Sequence, residues 1–202
     1  MTIDQSTFHA IFGPGDGPHV DDPRLCIPGD RRVLLALAQS MRPRTVVEIG
    51  VQAGCTARAL LANVPCITHY LGIDVDPAAV TLDAMPRKQR REIPELAGSL
   101  VRSDPIFELL LTPSSLNLTA ADLPDADFVY IDGSHAERDV QHDTDLAHAI
   151  ARPGAVIAWH DYPQQSGVRA VVDRINARGG ESIPHVRGTW VAFTIVRRDE
   201  CS

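Results

Sequence analysis

The chain has 202 residues, with 19 basic and 26 acidic side chains, a formal net charge of −7 and a sequence pI near 5.5. Hydrophobic residues make up 44% and charged residues 22%, a balance that excludes a disordered chain and suits one core-forming domain. The acid excess disfavours a general nucleic-acid binder, and no apolar run approaches the ~20 residues of a bilayer span. The N-terminus has neither the basic nor the apolar region of a secretory signal, so a cytoplasmic protein with no membrane partner is expected. Cys26, Cys55, Cys66 and Cys201 form no CxxC pair, which argues against a zinc knuckle, a thioredoxin-type site or a disulfide scaffold.

Residues 1–29 carry Gly13, Pro14, Gly15, Gly17, Pro18, Pro23, Pro28 and Gly29, a density of breakers that predicts an irregular arm. Residues 30–202 then read as a single domain. Asp30 is placed to cap a helix over Arg31–Met41. Thr45–Ile49 is a first strand, and the ARALLANV stretch after GVQAG is helical. His69–Val75 is a second strand, with Pro77 at a helix start; Ser99–Arg102 is a weaker third, and Asp127–Ile131 a strong fourth. Helical spacing runs from His135 to about Ala151, Pro153-Gly154 turns into the fifth strand AVIAW, and Gly167–Ala177 reads as a further helix. The tail supplies two strands joined at Arg187-Gly188, a link too short for a crossover, so this pair should be antiparallel. The alternation predicts an α/β domain with a mostly parallel sheet, whose ligands bind outside the carboxyl ends of the strands.

Those ends are polar. The first strand ends Glu48-Ile49-Gly50 and continues to Gly54, a GxxxG spacing that lacks the middle glycine of a dinucleotide fingerprint and so disfavours NAD(P). The second ends in Asp74, placed to accept hydrogen bonds from ribose hydroxyls, while Asp76 beside Pro77 suits a helix cap. An acid in strand one, GxxxG and an acid ending strand two suggest an adenosine ligand without a pyrophosphate.

The segments VVEIGVQAG, LGIDVDP and VYIDGSH resemble class I S-adenosylmethionine-dependent methyltransferases over residues 31–196. The resemblance implies a Rossmann-like seven-stranded sheet of order 3-2-1-4-5-7-6, strand seven antiparallel, with helices on both faces. It implies that Glu48 orients the methionine amino end through the loop, that Gly50 and Gly54 line the cofactor, and that Asp74 binds the ribose. It also implies that Ser103 and Asp104 lie near the adenine and that Asp132 serves the cofactor's methionine end.

Strand four ends Asp132-Gly133-Ser134-His135 and strand five ends Trp159-His160-Asp161-Tyr162. Adjacent parallel strands lie about 4.8 Å apart, which brings Asp132, His160 and Asp161 toward one point. Two carboxylates with an imidazole suit a divalent ion such as Mg²⁺ or Mn²⁺; the alternative is that Asp132 serves only the cofactor and Asp161 only caps a loop. The IDGSH…HDY pattern resembles the small metal-dependent O-methyltransferases of the catechol-type and macrocin-type branches. That likeness implies metal ligation by Asp132 and Asp161, but His160 stands where a second acid or amide is usual, shifting the preference toward Mn, Fe, Co or Zn. Where the catechol-type enzymes carry a lysine, three residues after the strand-four aspartate, this chain has His135, the candidate base.

The expected activity is methyl transfer to a hydroxyl of a small molecule. The other readings are a metal-free methyltransferase with a His base, a hydrolase built on His160 and Asp161, and a non-catalytic binder on the same fold. Trp159 and Tyr162 form either an aromatic wall at the site or part of the core. The basic run Arg87–Arg91, which holds the only lysine, Lys88, reads as a solvated face; the arm either covers the site or exchanges across a homodimer.

Overall fold

The computed structural model describes residues 1–21, 28–79 and 96–197. Strands β1 (Thr2–Ile3), β2 (Thr45–Ile49), β3 (His69–Val75), β4 (Phe107–Thr112), β5 (Ala126–Ile131), β6 (Ala151–Trp159), β7 (His185–Val186) and β8 (Ala192–Ile195) form one sheet of order β1-β7-β8-β6-β5-β2-β3-β4. The β6/β8 and β7/β8 pairs are antiparallel and the rest parallel. The expected seven-strand order is therefore present, extended at one edge by the two-residue β1. No helix among the described residues is long and apolar enough to cross a membrane.

Period-two alternation assigns the sheet's two faces. Val46, Tyr70, Phe128, Tyr130 and Ala158 pack under α1 (Gln5–Phe12), α2 (Pro28–Met41) and α3 (Cys55–Asn63). Val47, Ile73, Val129, Ile131, Ile157 and Trp159 pack under α4 (Glu137–Ile150) and α5 (Ser166–Arg178). In α4, Glu137 and Asp139 sit in the first turn and His148 in the last, the charge order that the helix dipole favours.

Two sequence expectations are corrected. The arm is not irregular over residues 2–12: it forms β1 and α1, and Phe8 is fully buried, its ring 5.6 Å edge-on from Phe193. Phe8 and Phe12 share a helix face, a signal outweighed by the breakers that follow them. The third parallel strand is not Ser99–Arg102 but β4; residues 98–104 wind through turns, Gly98 at φ +66°, with Val101 and Arg102 N–H both donating to the Gly98 carbonyl. β4 reads poorly as a strand because Glu108 and three leucines carry weak strand preference, and pairing with β3 decides it. The helix expected from Pro77, the run 87–91 with Lys88, Cys26 and Cys201 fall wholly or largely outside the described residues.

Candidate active site

Strand register places the polar residues at one level along the carboxyl edge. Glu48 pairs across to Gly72 on β3 and Tyr130 on β5. Beyond the strand ends the ladder continues: Gly50 N–H donates to Ile73 O, Asp132 N–H to Ile49 O and His160 N–H to Ile131 O.

On the β2/β3 side, Glu48 is buried and its Oε2 accepts the Tyr70 hydroxyl at 2.8 Å. Burial holds its carboxyl well above the usual range; the Tyr70 bond opposes this, and the charges of Asp132 and Asp74 add to it. Asp74 accepts the Gln52 N–H at 2.6 Å and the Val75 N–H at 2.7 Å, one on each oxygen. Burial raises its carboxyl too, while backbone N–H groups of Gln52, Val75 and Val51 hold the rise back. The turn needs its glycines. Gly50 sits at φ +93°, and a Cβ there would come 2.2 Å from the Asp132 carbonyl oxygen; at Gly54, φ +87°, it would come 2.8 Å from Val101 Cγ2. Close packing against the chain's own backbone demands Gly50.

On the β5/β6 side, Asp132, His160 and Asp161 offer ligand atoms that all lie within 4.8 Å of one another. His160 Nδ1 stands 3.0 Å from Asp132 Oδ1 and 3.6 Å from Asp161 Oδ1. The outward atom of each residue is held by a neighbour. Asp132 Oδ2 accepts the Tyr130 hydroxyl at 3.1 Å, His160 Nε2 lies 3.1 Å from Asp30 Oδ2, and Asp161 Oδ2 lies 2.6 Å from His135 Nε2. Asp161 adopts φ +62°, a left-handed conformation that aspartate tolerates better than most residues.

The electrostatics of the cluster ask for positive charge. Burial alone would lower the pKa of His160, but Asp132 chiefly, then Asp161 and Asp30, hold it well above its ordinary value. Burial would raise Asp161, but contacts to His135 and His160 hold it well below the carboxylate range. Nδ1 of His160 is buried and, despite its short distance to Asp132, has no aligned hydrogen bond. A buried ring nitrogen facing two carboxylate oxygens, with every outward atom braced, fits a divalent cation.

The expected site residues thus fall into two groups. Glu48, Gly50, Gly54 and Asp74 lie around the turn after β2, and Asp132, His135, His160 and Asp161 around the ends of β5 and β6. Ser103 and Asp104 do not join them, and that placement is corrected. Their position after a third strand rested on Ser99–Arg102; they precede β4, at its opposite end, where Asp104 caps a turn by accepting the Ile106 N–H at 3.0 Å. Thr112, Pro113 and Ser114 stand at the carboxyl end of β4 instead.

Trp159 is core, its Nε1–H donated to Thr144 at 2.9 Å, and the Tyr162 hydroxyl donates to Asp173 at 2.8 Å. Three supporting residues escaped the sequence reading. Tyr70 and Tyr130 carried a usable signal, since Tyr130 precedes Asp132 by two on a strand and so shares its face. Asp30 carried none, because its partner His160 lies 130 residues away.

A family model described as Methyltransferase domain matches residues 47–162, more than half of the chain. No curated protein matches the sequence. Among solved structures, cofactor-bound Rv0187 from MTB is similar at 20% identity, with 95% of this chain and 94% of that chain covered and a TM-score of 0.59. The O-methyltransferase from Bacillus cereus in complex with SAH is similar at 16% identity, over 93% and 86% of the two chains, TM-score 0.59. The O-methyltransferase TomG from Streptomyces achromogenes, involved in tomaymycin synthesis and solved with SAM, is similar at 15% identity, over 95% and 94%, TM-score 0.59. With its parallel sheet closed by an antiparallel pair and its polar carboxyl edge within the matched span, this chain belongs to the methyltransferase-domain family.

Proposed function

We propose that this methyltransferase moves the methyl group of S-adenosylmethionine to a hydroxyl of a small molecule, with a divalent cation held by Asp132, His160 and Asp161. The observation that carries the reading is the convergence of Asp132 Oδ1, His160 Nδ1 and Asp161 Oδ1 beside the turn that Asp74 braces. A candidate nucleoside-binding acid and a candidate cation site thereby share one edge of the sheet. The O-methyltransferases among the structural neighbours support a hydroxyl acceptor.

When bound, S-adenosylmethionine supplies an electrophilic sulfonium methyl and a divalent ion makes an acceptor hydroxyl more acidic. Asp74, oriented by the N–H groups of Gln52 and Val75, takes the ribose hydroxyls. Glu48, held by Tyr70, supports the turn at the methionine end. Gly50 and Gly54 keep that turn close to the sheet, and the residues at the carboxyl end of β4, Thr112–Ser114, take the adenine side. Asp132, His160 and Asp161 hold the cation, with Mn²⁺ or Mg²⁺ favoured and Fe, Co or Zn within reach of the imidazole donor. His135 removes the acceptor proton, and the Asp161 carboxylate 2.6 Å from its Nε2 stabilises the imidazolium. The residues act mainly by positioning and deprotonation, since the transfer is an in-line displacement.

The test is calorimetric titration of S-adenosylhomocysteine into chelator-treated protein, then of Mn²⁺, with Asp161→Ala alongside. The expected result is micromolar nucleoside binding, about −8 kcal/mol, and a separate Mn²⁺ heat absent from Asp161→Ala. Nucleoside binding without any metal heat would replace the reading by a metal-free methyltransferase using His135. No nucleoside binding would overturn the proposal.

A further inference from the structure

Asp30 reads in sequence as a helix cap, yet α2 begins at Pro28 and Asp30 lies inside its first turn, fully buried. Its side chain reaches out of the helix. Oδ1 accepts the Trp190 N–H at 2.7 Å, and Oδ2 lies 3.1 Å from His160 Nε2. The Trp190 ring packs on the same imidazole with centroids 6.2 Å apart. A buried carboxylate is costly unless its partners are well placed; here it lies at the amino end of α2 and accepts a backbone N–H.

The direction of the bond decides what His160 offers on its other side. The Asp30 carboxylate accepts from Nε2, so the nitrogen left to bind a cation is Nδ1, which faces Asp132 Oδ1 at 3.0 Å and Asp161 Oδ1 at 3.6 Å. Those two carboxylate oxygens and Nδ1 lie within 4.8 Å of one another, around the point a cation would take. We infer that Asp30 is a positioning residue that fixes the tautomer and ring orientation of His160, so that Nδ1 is the nitrogen presented to the cation. This inference rests on the cation reading proposed above and extends it from three ligand residues to the carboxylate that sets one of them.

Asp30→Asn tests it at nearly constant size. The Asn carbonyl keeps the Trp190 N–H bond and leaves the amide N–H₂ facing Nε2, which must then accept. The ring hydrogen moves to Nδ1 and blocks the ligand atom. Mn²⁺ and, separately, S-adenosylhomocysteine are titrated into wild type, Asp30→Asn and Asp161→Ala. The expected result is Mn²⁺ affinity weakened about 10–100-fold in Asp30→Asn, the usual cost of losing such a partner, with nucleoside affinity unchanged. Mn²⁺ affinity within about twofold of wild type, well short of that range, would overturn the inference and leave the cation reading standing. Wild type that takes up no Mn²⁺ would overturn both.

A second measurement serves if the variant does not fold. In ¹⁵N spectra of Zn²⁺-loaded wild type, the His160 ring should keep its hydrogen on Nε2 and show Nδ1 bound to metal. A hydrogen retained on Nδ1 would overturn the inference.

Discussion

Asp143 offers a sharp test of how burial acts in this fold. It sits in the interior of α4 with about 1% of its surface exposed, between the turns that follow β4 and β5. A Cβ built on Gly133 would lie 3.7 Å from its Oδ2, and neither oxygen accepts a well-aligned hydrogen bond. Burial lifts its pKa from the ordinary 3.8 to about 6, with the Ser115 hydroxyl and His142 holding back part of the rise. Each pKa unit is worth about 1.4 kcal/mol, so the displacement corresponds to about 3 kcal/mol.

The sign follows from proton counts. Between pH 3.8 and about 6 the unfolded chain has released this proton while the folded chain keeps it, so stability falls as pH rises across that window and levels off above it. Asp143→Asn keeps the shape and removes the titration. It should match wild type near pH 4 and exceed it by up to about 3 kcal/mol above pH 6, a rise in Tm of about 6–12 °C for a chain of this size. Urea unfolding of both proteins from about pH 4 to pH 8, a range that brackets the window, measures the difference directly. A difference that stays constant with pH would refute the assignment of burial as the cause.

Two further outcomes follow from the geometry. Gly50→Ala sets a Cβ 2.2 Å from the Asp132 carbonyl at φ +93°, and should cost roughly 2–5 kcal/mol in urea unfolding from strain and overpacking together; a loss under about 1 kcal/mol would mean that the β2 and β5 turns part without resistance. Tyr130→Phe removes the hydroxyl 3.1 Å from Asp132 Oδ2 and should weaken Mn²⁺ binding about fivefold, the equivalent of about 1 kcal/mol. Nucleoside affinity should not change in that variant, and an equal loss of both would show Tyr130 acting on the fold rather than on the cluster.

The elements legible from the chain alone are those whose signal is local. Thr45–Ile49, His69–Val75 and Ala126–Ile131 are apolar runs bounded by acids and glycines, and each is a strand within a residue of its expected bounds. The polar residues that end them were therefore legible as an edge, and so were GxxxG and Asp74. The short link at Arg187-Gly188 was enough to require an antiparallel pair, which β7 and β8 form. Periodicity and turn chemistry act over a few residues, which is why these features survive in the sequence.

Contacts between distant residues required the fold. β4 is a strand because β3 offers it a ladder, so Ser103 and Asp104, expected after the third strand, precede it instead. The arm is ordered over its first residues because Phe8 finds Phe193, 185 positions away. Gly50 is needed where the Asp132 backbone crosses it, and His160 is turned by a carboxylate in the first turn of α2. The identities of the donor atoms were written in the chain; which atom of each faces inward depends on hydrogen bonds that only the packed sheet and α2 bring together.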